Sequence, residues 1–182
     1  MASSLEKLEE SHDVEIEWHS YMLRPPGAGP ISPEYQAKIL AARPRMAEIA
    51  ERDFGVEINF NTFSGTSTAA LVGAKYAEAN GAGPAYHKKL MLAYWVETKD
   101  IHDRVVLANI AGEIGLDREA FLNALDSEPW TTQVTEDIDL GFQYGIQGVP
   151  GMIFQDKYFV SGAQTHDVLG DIVKQVVEKE QG

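Results

Sequence analysis

Two short apolar runs, residues 152–154 (Met-Ile-Phe) and 158–160 (Tyr-Phe-Val), stand three polar residues apart near the end of the chain, and this arrangement constrains the fold most. The intervening Gln155, Asp156 and Lys157 form a turn, so the runs are expected to pair as an antiparallel β-hairpin. Immediately after it, Val168, Leu169, Ile172, Val173 and Val176 recur at helical spacing, with Thr165 placed as an N-cap. A hairpin with one apolar face and a helix with one apolar stripe each need a covering layer. The ending therefore predicts a small sheet with a helix packed across it.

Upstream the periodicity is almost entirely helical. Leu5 and Leu8 share one face of a first helix, after which Val14, Ile16 and Trp18 alternate with Glu15, Glu17 and His19. That period of two predicts a half-buried strand over residues 14–21. Residues 24–33, with four prolines and two glycines, read as a loop. Helical spacing returns with Tyr35, Ile39, Leu40, Met46, Ile49 and Ala50, and Pro44 is expected to break or kink that run. An extended stretch places Val56, Ile58 and Phe60 on one side. Further helices are predicted at 67–80 (N-cap Ser64, Thr66 or Ser67, stop at Gly81), 84–97, 103–114 with Gly115 as a left-handed cap, 117–126 and 129–144. The order is strand, long helical block, hairpin, helix, without internal repeats.

The 182 residues hold no cysteine, and this removes disulfides, thiolate metal sites and thiol nucleophiles together. Fifteen basic against 28 acidic residues give a formal charge of −13, which argues against nucleic acid and anionic membranes as partners. No apolar run reaches the roughly 18 residues that would span a bilayer, and the N-terminal residues do not read as a secretory signal, so the expected setting is cytoplasmic. The five histidines show no metal-ligand spacing, and no cofactor fingerprint is present. Asp100, His102 and Asp103 form a candidate acid–base cluster, weighed against a helix cap with a bystander histidine. Met91, Tyr94 and Trp95 could line a cleft, weighed against core packing.

The segment GIQGVPGMIFQDKYFVSGAQTHDVL resembles the C-terminal signature of the DsbA-like superfamily, and within it the FrnE-type branch of cytoplasmic dithiol–disulfide isomerases. The matching residues are Gly148, Val149 and Pro150 opening a strand, the turn at 155–157, and Val160, Ser161, Gly162, Ala163 and Gln164 before the last helix. LMLAYWVETKDIHDRVVLANIAGEIGLD and DVEIEWHSYML are similar to the family's helical insertion and second strand. Thr66, Ser67 and Leu71 stand where that branch shows Asn-Thr and a histidine. The resemblance implies an α/β thioredoxin-like fold, with residues 1–33 and 145–182 as the thioredoxin-like portion and 34–144 as a mostly helical insertion. It also implies that the first strand and the Cys-x-x-Cys segment are missing, because Met1 falls partway along the first helix.

A redox-inactive relative of the disulfide oxidoreductases is therefore expected, since thiol exchange needs a thiolate. The resemblance implies that Gly148, Val149 and Pro150 form a cis-proline loop offering its backbone to a substrate peptide. Alternatives are a non-enzymatic peptide- or protein-binding module using the same loop, and an enzyme of the hydroxychromene-carboxylate isomerase or kappa glutathione-transferase type. The absent strand would leave its two neighbours, 14–21 and 152–154, with open edges about 9–10 Å apart. Open edges recruit other chains, so self-association is expected there.

Overall fold

The structure is a computed structural model, and it describes residues 2–23, 27, 29, 31–60 and 65–181. The described residues form eight helices and one two-stranded sheet: α1 (Ala2–Ser11), α2 (Pro33–Phe54), α3 (Thr68–Ala79), α4 (Gly83–Trp95), α5 (Arg104–Glu113), α6 (Arg118–Ala124), α7 (Glu128–Gln143), β1 (Gly151–Phe154), β2 (Tyr158–Ser161) and α8 (His166–Gln181).

The hairpin forms as its sequence requires. β1 and β2 pair antiparallel with Met152 opposite Val160 and Ile153 opposite Phe159. Gln155 and Asp156, the first two of the three turn residues, both adopt positive φ, and the Lys157 N–H returns to the Phe154 carbonyl at 3.1 Å. Helix starts also follow their side chains. Asp103 accepts from the Val105 N–H at 2.8 Å, and Asp117 accepts from the Ala120 N–H at 2.7 Å. Gly55 and Gly115 take left-handed φ where α2 and α5 stop. Ser67 precedes α3 without a side-chain cap bond. Ser64, and half of the proline-rich loop (residues 24–26, 28 and 30), lie outside the described residues.

Two expectations are corrected. Residues 14–21 are not a strand: they alternate between half-buried and exposed as far as His19, yet no segment pairs with them among the described residues. Periodicity fixes which side chains face inward, whereas a strand also needs a neighbour to complete its hydrogen bonds. Pro44 does not break α2, which continues through it for 22 residues. None of those residues is buried, so the Leu40 carbonyl that Pro44 deprives of a donor can bond to water.

Burial divides into two clusters. Val72, Tyr86, Leu107 and Phe121 sit at the heart of a fourteen-residue core made by α3–α7. The second is small: Leu5 and Leu8 of α1 meet Leu169 of α8, with Val14, Ile16, Trp18, Met152, Phe154 and Val173 packed around them. The unpaired segment thus lies against the same apolar cluster as β1. Val168, expected on the inner face of α8, is exposed.

Candidate functional site

The loop carrying Gly148, Val149 and Pro150 follows directly from the end of α7. Gly145, at φ 69°, turns the chain out of the helix, and the Ile146 N–H returns to the Gly141 carbonyl at 3.0 Å. The Tyr21 ring packs on Gly141, and its hydroxyl donates to the Ile146 carbonyl at 3.1 Å, which anchors the loop's base to the extended segment. The peptide bond between Val149 and Pro150 is cis. Pro150 accepts the Gly162 N–H at 2.9 Å, which closes the open end of the hairpin beneath the loop.

Val149 itself projects outward with 51% of its surface exposed. Among the described residues neither its N–H nor its C=O enters a hydrogen bond. An exposed backbone pair with both groups open is what an incoming extended chain needs for strand addition. Phe142, at the last turn of α7, is 62% exposed, and Tyr144 and Phe159 are exposed as well. The Phe159 ring lies over Gly151, where any Cβ would sit 3.1 Å from the ring, so glycine is what permits that cover. Tyr144 donates to Asp156 at 3.2 Å, tying the end of α7 to the hairpin turn. Partial burial and the Asp156 charge both raise the Tyr144 phenol's pKa, so it remains a donor at neutral pH.

A second run of open backbone lies in residues 15–19. Their N–H groups have no partner among the described residues, and the segment is held by its side chains instead. The Trp18 ring stacks on His87 of α4 at 4.0 Å. Lys75 of α3, only 8% exposed, donates to the Trp18 carbonyl at 3.2 Å, to Asp137 of α7 at 2.8 Å and to Glu78 at 3.0 Å. Asp137 in turn accepts the Ser20 N–H at 2.7 Å and meets His19 at 2.8 Å. Burial opposes both charges, but each prevails. The hydrogen bonds to Asp137 and Glu78 leave the Lys75 pKa raised, and Lys75, Ser20 and His19 together hold the Asp137 carboxyl below its ordinary value. Periodicity gave no sign of this clasp, because it joins residues 18–20 to Lys75 and Asp137, which are 55 or more residues away in sequence.

The other candidate side chains have structural roles. Asp100 accepts both the backbone N–H and the ring nitrogen of His102, at 3.0 and 2.7 Å, while Asp103 caps α5. The His102 ring covers Gly65, where a Cβ would meet it at 2.5 Å. Tyr94 packs against the helical core and meets Trp95 edge to face at 4.9 Å. Ser11, His166 and Asp167 stand in the order of a nucleophile, base and orienter, at 3.0 and 3.1 Å. Ser11 Oγ, however, lies 2.7 Å from the Lys7 carbonyl, and that bond takes its proton. Among the described residues no three His, Asp or Glu side chains gather as metal ligands.

Residues 1–174 match the family of the DSBA-like thioredoxin domain. The chain belongs to that family. An uncharacterized protein, YwbO, of Bacillus subtilis strain 168 is 28% identical over 170 residues, covering 91% of this chain and 84% of the relative. A probable DsbA oxidoreductase from Streptomyces coelicolor superimposes with a TM-score of 0.82 at 22% identity, over 96% of this chain and 81% of that one. A 2-hydroxychromene-2-carboxylate isomerase superimposes at 0.80 with 21% identity, over 99% and 90%. At these identities the two structures establish the shared fold. Among the described residues no helix is long and apolar enough to cross a membrane.

Proposed function

We propose that this DsbA-like chain binds extended peptide at the Val149 loop and carries out no thiol–disulfide exchange of its own. The carrying observation is Val149, which is 51% exposed, makes no backbone hydrogen bond among the described residues and stands directly before the cis peptide bond to Pro150. The signature from Val160 to Gln164 further supports placing the chain in the FrnE-type branch, and with it a cytoplasmic setting. Backbone pairing is sequence-tolerant, so the preferred ligand is an extended segment with alternating apolar side chains.

Fluorescence anisotropy with a labelled, unfolded, cysteine-free peptide tests this directly. The chain should bind it, and Val149→Pro, which deletes the N–H, should weaken binding about fivefold, as one lost hydrogen bond does. Phe159→Ser should also weaken it, because that half-exposed ring lies over Gly151 beside the loop. Absence of binding, or equal binding by all three proteins, would overturn the peptide site. Turnover in insulin reduction by these residues alone would overturn the redox-inactive reading separately.

A further inference from the structure

α2 is a 22-residue helix, about 33 Å long at 1.5 Å per residue, with no buried residue. Its apolar side chains are nonetheless ordered. Tyr35, Ile39, Ala42, Met46 and Ile49 follow one another at intervals of four, three, four and three, the heptad seam of a helix that packs lengthwise on another helix. Tyr35 is 59% and Met46 45% exposed, and Ile39 and Ala42 are exposed between them. The helix's own contacts with the body use a neighbouring face. Arg43 lies over the Phe60 ring at 5.1 Å, Ala47, Ala50 and Phe54 on the same side are half-buried, and Ile49 at the C-terminal end of the seam is half-buried too. Pro44, which would distort a contact face, falls opposite the seam.

Charge indicates what covers it. α2 carries four basic and four acidic residues, so the whole formal charge of −13 resides on the rest of the chain. Lys38 is paired with Glu34 at 2.8 Å, and Arg52 with Asp53 at 2.7 Å and Glu48 at 3.9 Å, which neutralises much of the seam's flank within the helix. Two copies of so acidic a molecule repel each other over most of their surfaces, and α2 is a neutral, apolar place where they can meet. We propose that two copies of this chain associate through their α2 seams, helix against helix and antiparallel.

The antiparallel sense opposes the two helix dipoles favourably and brings Tyr35, Ile39, Ala42 and Met46 of one copy against the same four residues of the other, while Asp53 stays paired with Arg52 of its own chain at 2.7 Å. The contact is isologous and closes on itself as a two-fold dimer. One helix pair buries less than the roughly 1,200 Å² of a standard interface, so the dimer is weak and concentration-dependent.

Sedimentation equilibrium across about 1–200 µM, a span bracketing weak dimers of this size, reads the association. The expected result is a reversible monomer–dimer equilibrium that the double variant Ile39→Glu/Met46→Glu abolishes over the whole range. Neither residue is buried, so the variant should keep the parent's circular dichroism and melting temperature. In the parent, amide exchange along α2 should slow as concentration rises, with no such change in the variant. A parent that stays monomeric at the highest concentration would overturn the proposal, as would a folded variant that still dimerises. So would a dimer abolished by Ile16→Pro but untouched by the α2 variant, which would place the contact at the open sheet edge.

Discussion

The hairpin and residues 14–21 both pack on the Leu5, Leu8 and Leu169 cluster of α1 and α8, yet only the hairpin forms a ladder. β1 finds its partner across a three-residue turn, where closure costs little. Residues 14–21 have no such neighbour and are fixed through side chains reaching back from α3, α4 and α7. The difference repeats in the cores. Fourteen buried residues stabilise the helical block, and three stabilise the cluster under the hairpin. A well-packed block therefore positions a lightly packed layer whose backbone stays open, an arrangement suited to receiving another strand.

Substitutions in the two cores should separate them. Phe121→Ala, which empties the centre of the helical block, should cost about 3–5 kcal/mol in denaturant unfolding. Leu169→Ala should cost about 2–3 kcal/mol, the lower part of the range, because its smaller cluster can collapse around the gap. Equal costs would break the contrast. Asp137→Ala removes the acceptor that holds both Lys75 and the Ser20 N–H and should cost about 2 kcal/mol, less than for a fully buried pair because some water reaches it. Lys75→Met/Asp137→Leu should recover part of that loss, because no unpaired charge remains.

Acid should loosen the junction in two stages. Burial beside Trp18 lowers the His87 pKa, so the unfolded chain takes up that proton first, and stability declines as pH falls below about 6.5. The depressed Asp137 carboxyl contributes stability that is present above its unfolded value and lost as pH falls through its folded one, a second decline below about 4. His87→Leu should remove the first stage and leave the second, as a pH series of urea midpoints would show. The smallest effect is expected at Tyr86, whose hydroxyl is buried without a partner. Tyr86→Phe should change stability by no more than about 1 kcal/mol, in the stabilising direction.

Much of this was legible in the sequence for local reasons. The hairpin, the capping by Asp103, the stop at Gly115 and the packing role of Leu5 and Leu8 each depend on residues a few positions apart, whereas the loop around Val149 was expected from the family resemblance alone. Non-local arrangements were not legible. Alternation at 14–21 reports side-chain direction but cannot reveal whether a pairing strand is present. The Lys75 and Asp137 clasp joins two helices to a segment more than 50 residues away, and in sequence its members resemble any surface charges. Pro44 misled for a related reason, since its effect depends on whether its helix is buried.

Site-resolved amide hydrogen exchange tests most directly the claim that the thioredoxin-like layer keeps open backbone while the helical block holds it in place. The account predicts rapid exchange at Ile16, Glu17, Trp18, His19 and Val149, slow exchange at Ser20, whose N–H is bonded to Asp137, and the slowest exchange in α3–α7. Added peptide should protect Val149 and leave the helical block unchanged. Protection across residues 15–19 and at Val149 equal to that of α3–α7, in the free protein at low concentration, would contradict it.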